Sequence, residues 1–446
     1  LRKLLNEYYS TDGKDNSVII HVPKGGYVPE FIHNNKMRHI DFPITNSKTI
    51  PVITVFPFKS TTQRPDLEAF SQILSEEISA ELSRFQDISV IGYFASGVIS
   101  KINENVLEAA SLLGADFIIT GHIQIIDSKM QIRVNLVNSS SGKFIVTKLF
   151  TPATIDDGIR IQNEIVKEIV STMGGYYGII FKEMVKTVPS KISNNSGVLK
   201  AICSYHEYQC SYSIENYANA LSNLNDAVEL DPNHAISWAM LGEMYLASIA
   251  LGLDNCKKTI EKSSHCISKA LKIDPNCQQA WYSLTLINCF KKDQDNCLAA
   301  AEQCIKINPN SSGISSGIGC MLIFAGYFEN GFNLLENATR INPSHPWWIS
   351  IGYCYYYVHK KEYKKSLYWA EKMDFSETIW DSLLKAISFS LLSEDEKAKT
   401  YLTNLLELQP QTASEIKDIL SSFMFSDEII FRMVNSLKRI GLKDDI

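Results

Sequence analysis

The chain lacks long hydrophobic runs: no 18 consecutive residues are uninterrupted by polar side chains, so no membrane-spanning helix is expected. It also lacks an excess of positive charge. The formal net charge of -6 excludes a protein whose whole surface grips nucleic acid or anionic membrane, while leaving room for a local basic patch. Cysteine is absent before Cys203, and all ten fall between there and Cys354. None forms a CxxC or sits with histidine at zinc-finger spacing, and the uneven gaps suit neither a disulfide framework nor a metal site. Free thiols serving as small core residues in a reducing, cytoplasmic compartment are expected instead.

Catalytic signatures are missing as well. GxxxxGK[ST], HExxH, DxDxDG and the kinase motifs do not occur, and no two of the nine histidines share a helix face. The expectation is a non-enzyme with no metal and no cofactor. The acidic pair Asp156–Asp157 and the acidic triplet Glu394–Glu396 read as helix starts, where negative charge suits the dipole. "LRKLLNEYY" has no signal-peptide shape, and since the first residue is Leu1 rather than Met, the natural start is expected upstream.

What is present fills three segments, as 446 residues exceed one hydrophobic core. Residues 1–47 open with a helix carrying Leu1, Leu4, Leu5 and Tyr8 on one face, a spacing that predicts a packed helix. "VIIHV" and "YVPEF" then predict a hairpin across "PKGG", followed by a polar linker. The Gly-Gly pair is not a phosphate loop, because no helix start follows to aim amides at an anion.

Residues 48–188 alternate strand and helix. "PVITVFPF", "ISVIG", "DFIITGHIQII", "MQIRVNLVN" and "KFIVTKLFT" read as strands. Leu67, Phe70, Leu74, Ile78 and Leu82 form one helical stripe, and a second helix is expected from Asn103 to Gly114. A third, over "IDDGIRIQNEIVKEIVSTM", is expected to cover the sheet. Together they predict an α/β (or α+β) mixed-sheet domain.

Residues 195–446 are repetitive. Prolines recur at 232, 275, 309, 343 and 410, in steps of 43, 34, 34 and 67, each ending a frame such as "ALKIDPN", "CIKINPN" or "ATRINPS". A 34-residue step with small residues at frame positions 8, 20 and 27 is the tetratricopeptide pattern. About six repeats are counted, with C-terminal capping helices, giving an all-α repeat solenoid after the mixed-sheet domain. Cys297 and Cys304 fall at small buried positions, and "GISSGIGCML" reads as close helix packing. The fifth repeat is framed one residue early, starting at 345.

The concave face of such an array takes helix-A positions near 2, 5, 9 and 12. In the fifth repeat these include Ile349, Tyr353 and Tyr356, and in earlier repeats Glu243, Tyr282 and Leu286. A protein or peptide partner is expected in this groove, with the tyrosines as anchors. Trp348 and Tyr355 read as packing residues of the repeat.

Two segments resemble a bacterial family. "PVITVFPF", "AASLLGADFIITGH" and "LVNSSSG" within residues 51–150 resemble the TolB amino-terminal-like (FlgO-like) domain, which commonly precedes tetratricopeptide repeats. "LRKLLNEYY" followed by "VPKGGYVPEF" resembles the end of a winged-helix-like module in adenylate cyclase-like proteins and transcriptional regulators. No cyclase catalytic strand is present. The resemblance implies a regulatory or scaffolding role, with a sensory half of a cyclase-like protein as an alternative. Were the winged helix to bind DNA, Arg2, Lys3, Lys24 and Arg38 are the candidates for phosphate contact.

Overall fold

The computed structural model describes residues 2–442 apart from 14–15, 17, 25–27, 34–49, 63, 104, 128, 153–156, 158–159, 176–177, 188–196, 212, 252, 254–255, 343–344, 374–377 and 411. The chain divides into two compact units, Leu1–Asn46 and Ser47–Ile446.

The first unit holds α1 (Arg2–Ser10) and an antiparallel hairpin of β1 (Val18–His21) and β2 (Glu30–His33), with Val18 opposite His33 and His21 opposite Glu30. The Gly-Gly pair and Arg38 lie outside the described residues. The expectation of a packed α1 is corrected: none of its residues is buried, and Leu4 is 68% exposed. Among the described residues of the unit, nothing else lies over that apolar face.

The second unit begins with a mixed sheet. Strand order is β5 (Ser89–Ile91), β3 (Val52–Val55), β6 (Phe117–Ile126), β7 (Lys129–Asn138), β8 (Phe144–Phe150), and the short β4 (Lys59–Ser60) also pairs with β6. β3 is parallel to β5 and β6, whereas β6, β7 and β8 run antiparallel through hairpins. α2 (Pro65–Leu82) has proline in its first turn beside Asp66 and Glu68, which suit the positive end of its dipole. Its stripe Leu67, Phe70, Leu74, Ile78 and Leu82 is buried. α5 (Gln162–Met173) buries Ile165, Val166 and Ile169 in the same core.

The opposite sheet face is covered by α3 (Tyr93–Ile102) and α4 (Val106–Leu112), around Phe56, Ile99, Ala109 and Ile118. The helix expected from Asn103 to Gly114 is α4, whereas Asn103 itself ends α3 as its C-cap. Asn105, not Asn103, caps α4 by accepting from the Leu107 amide.

A long run of paired helices follows α6 (Ile179–Thr187). The inner helix of each pair is α7 (Gly197–Cys210), α9 (Ala235–Ala250), α11 (Gln278–Phe290), α13 (Ser312–Phe324), α15 (Ile349–His359) and α17 (Ile379–Leu391). Their outer partners are α8 (Ile214–Leu230), α10 (Cys256–Ile273), α12 (Gln294–Ile307), α14 (Phe328–Ile341), α16 (Tyr363–Met373) and α18 (Asp395–Leu408). Each helix packs against its partner and the next inner helix, forming a repeat solenoid. Between the first four pairs the chain turns through Asp or Asn followed by Pro. In these turns Asp231, Asp274 and Asn308 accept from the amides of Asn233, Asn276 and Asn310.

The sheet region docks on those turns. Gln86 donates to Asp274 and accepts from the Gln278 amide, and Asn310 donates to Glu81. Ser171, at the end of α5, donates to the Asn310 carbonyl at 2.7 Å and accepts at its own carbonyl from Ser312. Gly174 lets the Phe85 ring lie against the backbone, since a Cβ there would stand 2.9 Å from it.

α19 (Thr412–Phe423) and α20 (Asp427–Arg439) do not simply extend the stack as a cap. They fold back along the C-terminal ends of the inner helices. The Phe425 amide donates to the Phe324 carbonyl, Arg432 to Val358 and Arg439 to Ser390.

The close packing read from "GISSGIGCML" is present. A Cβ on Gly331 would meet the Gly319 carbonyl oxygen at 2.5 Å and the Ile323 amide nitrogen at 2.7 Å, both backbone. Gly331→Ala is therefore expected to destabilise the second unit by about 2–3 kcal/mol, read as a lower denaturant midpoint. Gly97→Ala, at a half-buried position within α3 where the nearest atom is 3.9 Å away, serves as the neutral or mildly stabilising control. Equal midpoints for the two variants would refute this account of the α13–α14 contact.

Candidate functional site

The concave side of the solenoid encloses a cavity of about 120 Å³. Its walls are Tyr208 from α7, Leu246 from α9, Tyr282 and Leu286 from α11, Met321 from α13, and the tryptophans 347, 348 and 380. Phe423 of α19 closes one side, and its ring packs against Phe290 and Phe324. The lining is apolar except for a polar cluster at Glu243 and Gln209.

That cluster has a definite geometry. The Glu243 carboxylate accepts from Tyr205 Oη at 2.7 Å, from Gln209 Nε2 at 2.8 Å and from Gln279. Every one of these donors is neutral. Burial pushes the Glu243 carboxyl up to about 7, and its three hydrogen bonds pull the other way. No Lys, Arg or His pairs with it among the described residues.

A second desolvated carboxyl lies where the sheet region meets the repeats. Asp87 is 4% exposed, and one of its carboxyl oxygens has no hydrogen-bond partner. Burial raises it to about 7. It lines a small cleft with Gln86, Gln278 and Gln279.

Of the residues expected in the groove, Glu243, Tyr282 and Leu286 line the cavity. Ile349, Tyr353 and Tyr356 do not. Ile349 is wholly buried in the core. Tyr353 lies flat on Trp369 of α16, with centroids 3.7 Å apart, and shares a hydrogen bond with Thr339 of α14. Tyr356 stacks on Phe332 and donates to Glu329, both on α14. Tyr353 lines a different, open cleft on the outer-helix side, with Arg340, His345 and Lys372.

The reason for the correction is register. Frame position 8 of the fourth repeat, Gly319, packs against Gly331 at position 20. In the fifth pair the corresponding contact is Cys354 Sγ to the Ser366 carbonyl, 3.2 Å. The frame therefore starts at 347 rather than 345. A two-residue slip rotates a helix by about 200°, which turns Tyr353 and Tyr356 to the far side and brings Trp348 and Ile351 to the cavity. The paired tryptophans at 347 and 348 were the available signal, but the shifted frame assigned Trp348 to packing.

The basic candidates are separate. Lys3 and Lys24 are exposed and Arg2 is half-buried in the first unit, and Arg38 is outside the described residues. Eight of the nine described cysteines are buried, Cys210 being exposed: Cys297 and Cys304 are fully buried, and burial raises the Cys203, Cys266 and Cys354 thiols to about 12, 11 and 12. Among the described residues no group of three or more His, Cys, Asp or Glu is placed to hold a metal, and no helix is long and apolar enough to cross a membrane.

No protein-family model matches the chain. The transcriptional regulator HilA of Salmonella typhimurium is 23% identical over 155 residues, covering 35% of this chain. HilA of Salmonella typhi and of Salmonella paratyphi A give the same figures. The similarity spans 28% of the length of these regulators.

Asp87 and Glu243 make stability depend on pH with a definite sign. A carboxyl whose folded value is raised stabilises the fold below its unfolded value near 3.8, and that contribution is lost as pH climbs through about 7. Thermal unfolding midpoints are thus expected to fall between about pH 5 and about pH 8 from these two groups. Asp87→Asn should raise the midpoint at the upper pH by a few degrees and change the lower one little. An unchanged pH slope in the variant would show that Asp87 is not the source.

Proposed function

We propose that this chain belongs to a bacterial transcriptional regulator, with the first unit forming part of a DNA-binding winged-helix-like module and the repeats acting as its effector arm. The observation that carries this reading is the first unit itself. An α1 helix with an exposed apolar face (Leu4, Tyr8) precedes a β-hairpin whose exposed Lys24 stands at the turn. A recognition helix supplied by the same module would cover that face, and the hairpin would lie along the backbone as a wing, with Arg2, Lys3 and Arg38 as further phosphate contacts. The similarity to a transcriptional regulator supports the same reading.

The remainder fits a non-catalytic role. In this reading the mixed-sheet region is a TolB amino-terminal-like (FlgO-like) domain, and the helix pairs are tetratricopeptide repeats that hold a protein or peptide partner on their concave face. The cytoplasm is the compartment proposed, as DNA binding requires. A scaffold role without DNA is the second reading, favoured by the aromatic lining of the groove.

Chromatin immunoprecipitation of the full-length protein from its own cells tests the proposal. Enrichment at discrete promoters is expected, and Lys3→Glu with Lys24→Glu should weaken it several-fold through lost phosphate contacts. In vitro, the same pair should flatten the salt dependence of duplex affinity by about two phosphate contacts. Absence of promoter enrichment together with no duplex binding at low salt would leave the scaffold reading in its place.

A further inference from the structure

The groove cavity combines three properties seldom found together. It is walled by aromatic rings, from Tyr208, Tyr282 and the tryptophans 347, 348 and 380. It holds a carboxyl group, Glu243, in a fixed orientation through three donors. And that carboxyl has no cation beside it among the described residues, its pKa being set only by burial and neutral hydrogen bonds.

We propose that this cavity is a binding site for a small organic ammonium ion with a single-ring apolar body. The charge would sit at Glu243 and the body among Tyr282, Leu286, Met321 and Trp348.

Charge complementarity selects the ligand class. A neutral apolar guest would gain the rings but leave the desolvated carboxyl as it is, and an anion would be repelled by it. A cation repays the burial of Glu243 and is attracted to the ring faces as well. Size selects within the class. About 120 Å³ is the scale of a cavity that takes one aromatic ring. That volume takes one small body with Phe423 closing one side, so a peptide held on the concave face would lie outside the cavity itself. The existing donors already fix the carboxylate, so little order is lost on binding.

The inference goes beyond the regulatory reading and does not rest on it, because DNA association by the first unit uses none of these residues. It is tested on the full chain with three probes of one size: 2-phenylethylammonium, 2-phenylethanol and phenylacetate. Affinities are measured by titration calorimetry at about pH 8, where the amine keeps its proton, and by quenching of tryptophan fluorescence. The ammonium probe should bind at least about tenfold more tightly than either of the others, and Glu243→Gln should bring that ratio to about one. Met321→Phe, which fills the cavity, should weaken the ammonium probe while leaving circular dichroism unchanged. If the alcohol or the carboxylate binds unmodified protein as tightly as the amine, or if no probe binds, the proposal is overturned whether or not either variant folds.

Discussion

The Asp/Asn-Pro turn that closes three successive repeats is the constraint on which the 47–446 unit depends. A carboxylate or amide side chain accepts from the amide two residues on, across a proline that has no donor to place. The same rigid shape recurs every 34 residues at Asp274 and Asn308. The result is a rail with regular spacing along one edge of the solenoid. Gln86, Glu81 and Ser171 fit that spacing, engaging two successive turns with polar contacts, while Phe85 packs against Gly174. The sheet region thus reads the period of the repeats directly. Changing the length of the repeat at this edge would separate contacts that lie at the ends of two different helices, α2 and α5.

Against that rail stand two carboxyls that a fold selected for stability alone would not keep. Asp87 and Glu243 are both desolvated and both served by neutral groups. Burying an acid without a cation costs free energy that a well-packed apolar residue of similar volume would not. The ten cysteines make a useful contrast. Those whose thiols shift are raised by burial, which lowers their thiolate fraction and leaves them as small packing groups. Glu243 is different because it is held by three donors at the wall of a cavity.

The repeat period, the stripe of α2 and the hairpins of the sheet were legible in the sequence because each imposes one periodicity on many residues. The docking of α1 was not, because an amphipathic pattern says that a face wants cover without saying what provides it. The groove was half legible. Counting from the prolines put Glu243, Tyr282 and Leu286 on one face, and all three line the cavity. The count failed at α15, where Ile349 to Tyr356 are all buried. A helix apolar all round has no stripe to phase it, so only the proline spacing was left to set its register, and that spacing slipped. Contact between Cys354 and Ser366 sets the true frame, and such a contact has no signature in a single sequence. Asp87 was invisible for a related reason: its burial is created by two regions meeting, not by its neighbours in the chain.

One helix joins these parts. At its first residue, α11 presents the Gln278 amide to Gln86 at the docking edge; one residue later, Gln279 donates to Glu243. Tyr282 and Leu286 then line the cavity, and Phe290 at the far end meets Phe423 of the C-terminal pair. Thirteen residues span about 20 Å as a rigid rod. A guest that presses on Tyr282 or Leu286 therefore acts on a lever whose two ends are already engaged, one with the sheet region and the other with the fold-back of α19. Close packing makes such contacts switch between discrete arrangements rather than deform smoothly. The cavity is consequently placed where occupancy has a mechanical route to both ends of the inner face, which is what an effector arm requires.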